Sequence, residues 1–261
     1  MTPAAEVPRY PIMDVAVADV SMAETLELID RFVAERAPRV IVTANVDHLM
    51  LMRKDAAFRE AYRRADLVTC DSVPLKWALA FLGTPIKERV AGADLFLALA
   101  PRAAAKGYRL FYLGAPVGVA EQAAAELRRR FPGLNVVGTY SPPVMSAAEL
   151  AEDEETLRRV REARPDVLFA AFGAPKQELW MDAVRERLRV PVTVGVGAAF
   201  DFAAGTVKRA PRWMQRAGLE WFFRLTQEPR RLWRRYLFVD SRFGCHVLRE
   251  KLRRRKGEPR P

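Results

Sequence analysis

Short apolar runs recur along this chain, each followed by a glycine or polar residue and then by a segment of helical periodicity. That alternation restricts the fold more than any other feature. Residues 39–43, 67–70, 108–113, 135–138, 166–172 and 192–196 have strand length and β-branched or aromatic content, and 12–20 alternates apolar with polar residues as a further strand. Ser21 with Glu24 three residues on is a capping box, and it opens a helix that must end before Pro38. Helical periodicity follows over 46–53, 56–65, 73–81, 93–105, 119–130, 150–163 and 176–188, with Pro101 predicting a break or kink in its segment. Apolar strands alternating with helices make a Rossmann-like α/β fold: a mostly parallel sheet with helices on both faces.

In such sheets ligands bind beyond the carboxyl ends of the strands. There the chain places Asn45, Asp71, Gly114, Tyr140, the run from Gly173 to Gln177 and the run from Gly197 to Asp201.

Charge divides the chain. Residues 208–261 hold 17 Lys/Arg against 5 Asp/Glu, a net +12, while residues 1–207 hold 26 against 27. The expected division is therefore a 1–207 catalytic domain and a 208–261 basic helical appendage. In the appendage Trp213, Met214, Leu219, Trp221, Phe222, Leu225, Leu232, Trp233, Tyr236 and Leu237 recur at helical spacing among arginines, with a break near Pro229 and a frayed end over 253–261. Such a surface suits an anionic partner, whether lipid headgroups, nucleic acid or a phosphorylated substrate, and between membrane and nucleic acid the clustered Trp favours the membrane. The start of the chain lacks the basic-then-apolar pattern of a secretory signal, and no run reaches the ~18 apolar residues of a membrane span. The expectation is a cytoplasmic protein, peripheral on the inner face of the membrane. Two distant cysteines, Cys70 and Cys245, read as reduced thiols, and with only two histidines a zinc site is not expected.

Several residues can carry chemistry. Asp71, just past an apolar strand, can take a proton from a hydroxyl nucleophile; it can equally cap the next helix. The strand–glycine turn–helix around Gly114 and Gly118 can bind phosphate through backbone N–H groups, although the spacing is not a dinucleotide fingerprint. Lys176, Gln177 and Glu178 put a cation, an amide and a carboxylate at one helix start, suited to phosphate and sugar hydroxyls or simply to a polar first turn. Asp201 sits among apolar residues and needs a partner. His48 reads as a helix residue at the edge of the site, and Glu152 to Glu155 as a solvated run. No acidic pair stands where it would hold a metal–diphosphate, so neither metal nor cofactor is expected.

Taken in order, these segments resemble the WecG/TagA/CpsF glycosyltransferase family. The resemblance rests on Thr43-Ala44-Asn45, on Arg53-Lys54-Asp55 with the segment to Val68, on Asp71, and on Glu88-Arg89-Val90-Ala91-Gly92-Ala93-Asp94. It continues through Leu113-Gly114, Gly173-Ala174-Pro175-Lys176-Gln177-Glu178, the run from Gly195 to Phe202, the run from Lys208 to Arg216, and Gly218 to Tyr236. It covers residues 10–249. It implies transfer with inversion from a UDP-sugar donor (UDP-N-acetylmannosamine, its uronic acid or UDP-glucuronate) to a polyprenyl-diphosphate-linked acceptor, for teichoic acid, common antigen or exopolysaccharide. It also implies Asp71 as base, and Thr43, Asn45, Arg89 and Gln177 lining the pocket. Asp201 would lie near the nucleotide, and Arg224, Arg231 and Arg234 of the appendage would approach the diphosphate. Family members can self-associate, so a homo-oligomer is possible. Where many relatives carry Asp-Gly, this chain has Asp71-Ser72, which serves only if the backbone there has negative φ. The competing classes are a nucleotide-dependent oxidoreductase, separable by protection with NAD rather than UDP, and a basic nucleic-acid-binding protein. Within the family, a UDP-glucuronate or UDP-glucose transferase is the alternative.

Overall fold

The computed structural model describes residues 7–227, 229–234 and 242–256; for Arg231, Leu232 and Arg234 it describes the backbone alone. The chain starts with an antiparallel hairpin, β1 (Arg9–Ile12) and β2 (Val15–Ala18), where one strand over 12–20 is expected from the alternation. The two-residue connection is Met13-Asp14, with Met13 at φ 52°. Neither residue is glycine or asparagine, so the usual hairpin signal is missing from the sequence.

After α1 (Met22–Glu35), entered through the Ser21–Glu24 capping box, come β3 (Arg39–Ala44), α2 (Val46–Met52), α3 (Ala56–Arg64), β4 (Leu67–Cys70) and α4 (Val73–Phe81). Next are α5 (Gly92–Lys106), β5 (Arg109–Gly114), α6 (Val119–Arg130), β6 (Asn135–Tyr140), α7 (Ala147–Glu152) and α8 (Glu154–Ala163). They are followed by β7 (Val167–Ala171), α9 (Lys176–Leu188), β8 (Val192–Gly195) and α10 (Ala199–Ala204). Six strands form one parallel sheet in the order β4-β3-β8-β7-β5-β6.

Period-two alternation along each strand feeds two cores. Val40, Val42, Val68, Phe111 and Leu168 pack with Phe58, Leu75, Leu150 and Trp180 on one face. Ile41, Leu67, Tyr112, Phe169 and Val194 pack with Ile29, Phe96, Ala120 and Phe200 on the other. The expected fold, helices on both faces of a parallel sheet, is the one observed.

Two helical expectations change in detail. Of the break or kink expected at Pro101, the break does not occur: α5 runs through it. Pro101 lies on the exposed side of the helix. The single charged helix over 150–163 is two helices, because Asp153 ends α7 and caps α8 by accepting from Thr156 N–H at 3.1 Å. Its neighbours Glu154 and Glu155 pair with Arg187, Arg158 and Arg159.

The basic C-terminal segment forms α11 (Arg212–Arg216), α12 (Glu220–Gln227), α13 (Pro229–Arg234) and α14 (Phe243–Arg255). Tyr236 and Leu237 of the expected aromatic stripe lie outside the described residues. Of the frayed end expected over 253–261, residues 257–261 lie outside the described residues; the rest is not frayed, since α14 continues to Arg255 and packs back on the hairpin and α4. Phe243 and Val247 enter the core, Glu250 accepts from Met13 N–H at 2.9 Å, and Arg254 donates to Pro11 O and Leu82 O. No helix among the described residues is long and apolar enough to cross a membrane.

Gly114 ends β5 at φ 102°, where a Cβ would meet Ala171 O at 2.6 Å. Strained backbone and a backbone clash coincide there, so Gly114→Ala is expected to cost about 2–4 kcal/mol. Urea unfolding measures it, and a loss below about 0.5 kcal/mol contradicts this packing.

Candidate active site

Parallel pairing aligns the carboxyl ends of β4, β3 and β8 side by side and brings Asp71, Asn45 and Gly197 together. Asp71 follows β4 and its N–H donates to Ala44 O at 2.7 Å. It is not the cap of α4. That position is Ser72, at φ −121° and ψ 145°, so the serine in place of glycine is unstrained.

Asp71 as a residue keeps some accessible surface, while its carboxyl is packed around by protein. Burial pushes it up to about 6 from an ordinary 3.8. Arg89 opposes the rise, Glu220 and Asp94 add to it, and a hydrogen bond from Asn45 opposes it. Asn45 caps α2: its Oδ1 accepts from His48 N–H at 3.1 Å. Thr43, on β3, is buried with its Oγ1 turned toward the start of α5.

Helix α5 can start on the strand ends because its first residue is Gly92. A Cβ there would lie 3.2 Å from Thr43 Oγ1, Gly195 O and Val196 Cα. That approach sets Arg89 and Asp94 over Asp71. Arg89 Nη1 donates to Asp71 O at 3.1 Å and Nη2 pairs with Asp94 at 2.6 Å. Asp94 also pairs with Arg209 at 2.5 Å, and Arg209 pairs with Glu220 at 3.2 Å. The C-terminal helices thus reach the site through a continuous series of charges. Burial raises Asp94, but the Arg209 hydrogen bond and the charges of Arg209 and Arg89 outweigh it and hold the carboxyl below its ordinary value. Arg209 and Glu220 lie in the segments that carry the resemblance, yet nothing in their spacing marks them as partners of Asp94.

Gln177 is turned inward. Its Oε1 accepts from Gly197 N–H at 3.0 Å and its Nε2 donates to Glu178 at 2.7 Å. It fills the space beside Gly195, where a Cβ would lie 2.5 Å from Nε2. Burial pushes the Glu178 carboxyl up to about 7. Asp201 lies on α10, next along from β8, with Thr206 Oγ1 3.4 Å from its carboxylate.

The remaining expected residues stand farther along the sheet. Lys176 starts α9 with its ammonium over the Phe172 ring at 5.2 Å, and burial lowers its pKa. Gly114 closes β5. Tyr140 ends β6 under the Arg159 guanidinium at 4.4 Å. β6 is the edge opposite β4, five strand spacings away, so Tyr140 is about 24 Å from Asp71 and outside its cluster. Arg224 is partly buried on α12. Arg231 and Arg234 lie on α13, with their side chains outside the described residues.

The pattern defining the glycosyl transferase WecG/TagA/CpsF family matches residues 10–257. The chain belongs to this family. It is similar to an N-acetylglucosaminyldiphosphoundecaprenol N-acetyl-beta-D-mannosaminyltransferase of Bacillus spizizenii, 33% identical over 77% of this chain and 76% of the relative. Proteins of the same name from Bacillus subtilis and Staphylococcus aureus are 28% and 27% identical, over 88% and 87% of this chain and 87% of each relative. As a member of the WecG/TagA/CpsF family it is a glycosyltransferase, of the hexosyl-transferring kind.

A carboxyl raised by burial opposes folding once ionised. The folded value of about 6 lies above the unfolded one, so this contribution favours the fold at low pH and is lost as pH rises through about 6. Asp71→Asn stays neutral throughout. It is expected to stabilise the fold by about 2 kcal/mol at pH 8, discounted for partial solvent contact, with the gain vanishing near pH 4. Thermal unfolding at the two pH values checks this, and an equal effect at both contradicts it.

Proposed function

We propose that this chain transfers N-acetylmannosamine, or a related uronic acid, from its UDP-sugar to a saccharide on undecaprenyl diphosphate, with inversion and without a metal, in cell-wall or surface polysaccharide synthesis. The observation that carries the reading is a carboxyl raised to about 6 at the end of β4, among Asn45, Arg89 and Asp94. The names of the relatives support the acceptor and the sugar.

In this reaction the acceptor hydroxyl attacks the anomeric carbon from the face opposite UDP. Its O–H bond breaks and the proton passes to the Asp71 carboxylate. The bond from the anomeric carbon to the diphosphate oxygen breaks with its electron pair, and UDP departs with the added negative charge. A base near 6 is ionised at neutral pH yet retains more basicity than an ordinary aspartate. Thr43, Asn45 and Arg89 line the pocket around the sugar. Gln177 acts from below by holding the Gly197 turn, with Asp201 beside the nucleotide. Arg224, Arg231 and Arg234 supply positive charge for the departing diphosphate, with Lys176 and the turn after Gly114 farther along the strand ends toward the rest of the nucleotide. Tyr140 sits at the far end of the same strand-end row.

The 208–261 appendage closes the site through Arg209 and meets an anionic membrane surface on its inner face. Its net +12 and the exposed Trp213, Trp221, Phe222 and Trp233 support that placement, and so do Trp77 and Phe81 on α4. Stronger binding to DNA than to anionic vesicles at physiological salt contradicts it.

A donor screen with a short-lipid diphosphate-GlcNAc acceptor tests the reaction. UDP-N-acetylmannosamine or its uronate is expected to react; a preference for UDP-glucuronate or UDP-glucose overturns the donor assignment. The rate is expected to survive EDTA. Asp71→Asn is expected to lose at least about 1000-fold in kcat with donor binding kept, and full activity removes Asp71 as base. Arg209→Gln is expected to lose about 10-fold or more in kcat, since it severs the appendage from Asp94.

A further inference from the structure

His48 sits in the floor of the site with both ring nitrogens engaged. The backbone N–H of His48 donates to Asn45 Oδ1 at 3.1 Å, and only the oxygen of an amide can accept. The NH2 group of Asn45 therefore faces the other way, toward His48 Nε2 at 3.3 Å and toward the Asp71 carboxylate. An NH2 group only donates, so Nε2 must present a lone pair and the ring proton must sit on Nδ1. Nδ1 meets the Tyr62 phenol oxygen at 2.6 Å, and the Tyr62 O–H is left to donate to Thr43 O at 3.5 Å. One tautomer of a neutral imidazole satisfies these three contacts, with donors running in one sense from Asn45 to the backbone of β3.

Packing fixes these rings. Phe58 is fully buried and meets His48 edge-on at 5.9 Å and Tyr62 at 5.1 Å. The series starts beside Asp71 and ends under Thr43, so it links two strand ends of the pocket.

We propose that His48, backed by Tyr62, is a positioning residue for sugar transfer: it holds the Asn45 amide so that its NH2 group donates to the Asp71 carboxylate. The inference rests on Asp71 being the base. A swivelled Asn45 would present its oxygen to that carboxylate, which repels it; the cap bond from the backbone N–H of residue 48 disfavours that orientation, and the His48 ring adds to it by accepting from the NH2 group. Arg89, Asp94 and Glu220 also face Asp71, and Glu178 and Asp47 face Tyr62. A substitution at His48 removes none of these five charges, so the Asn45→Ala comparison below tells whether a change in the ionisation of Asp71 reports the Asn45 contact.

The test is kcat against pH for the full chain, with the donor established in the screen above. His48→Phe is expected to lower kcat about 10- to 100-fold with donor KM within about 2-fold, and to move the acid limb of the profile upward by half a pH unit or more. His48→Gln, whose side-chain oxygen can accept from Asn45 at the place of Nε2, is expected to recover most of the rate. Asn45→Ala is expected to give the same displacement, and the double variant to be no worse than Asn45→Ala alone. Tyr62→Phe keeps the ring and its packing, and serves if His48→Phe fails to fold; it is expected to lose about 3-fold or more with the limb moved in the same direction. An acid limb left in place, or losses that multiply in the double variant, overturns the positioning role. Activity retained by Asp71→Asn overturns the base assignment instead, whatever His48 does.

Discussion

Taking a carboxylate out of water at the end of a buried strand is unfavourable unless donors and cations replace the lost hydration. The arrangement around Asp71 is organised by that requirement. Desolvation dominates and lifts the carboxyl to about 6, while Arg89 and the Asn45 amide oppose it. Too many partners would return it to an ordinary, weakly basic aspartate; too few would leave it protonated at neutral pH. Arg89 supplies an intermediate degree of support because it is shared. Its guanidinium contacts the Asp71 backbone oxygen and is drawn off by Asp94, which Arg209 holds in turn.

That sharing ties the parallel-sheet domain to the C-terminal helices. Arg209 and Glu220 come from a segment otherwise dominated by positive charge, yet they reach Asp94 and the field of Asp71. Partly buried pairs of this kind contribute through geometry more than through net stability, since desolvation consumes much of their attraction. Loss of one member leaves a charge without its counterpart. The C-terminal segment is fastened at a second place, where α14 sets Phe243 and Val247 into the core and Arg254 on the hairpin carbonyls. The helices between, α11 to α13, present Trp213, Trp221, Phe222 and Trp233 outward.

The sheet, its helical layers and the row of strand-end residues were legible in the sequence because each rests on a local signal: apolar strands, capping residues, glycines at turns. Asp71 was visible for the same reason, at the tip of Leu67-Val68-Thr69-Cys70. Features that depend on distant partners were not. Met13-Asp14 lacks the glycine or asparagine that announces a hairpin, and Pro101 stays helical on the exposed side of α5. Asp153 reads as one acid in an acidic run until its carboxylate is seen capping α8. Asp94 is more than a hundred residues of chain from Arg209 and Glu220, and meets Arg209 only once α5 has docked on the strand ends. His48 is a lone histidine on an apolar helix, and the sequence carries no local sign that Asn45 and Tyr62 converge on it.

The ionisation of Asp71 is where fold, charge series and chemistry meet, so it is the quantity to measure directly. The carboxyl carbon signal of Asp71, assigned by its absence in Asp71→Asn, can be followed by NMR across a pH titration of the uncomplexed full-length protein. A midpoint near 6 is the result expected of a desolvated base held by Asn45 and Arg89. A midpoint near the ~4 of an exposed aspartate contradicts it, because the carboxylate would then be solvated and no more basic than any on the surface.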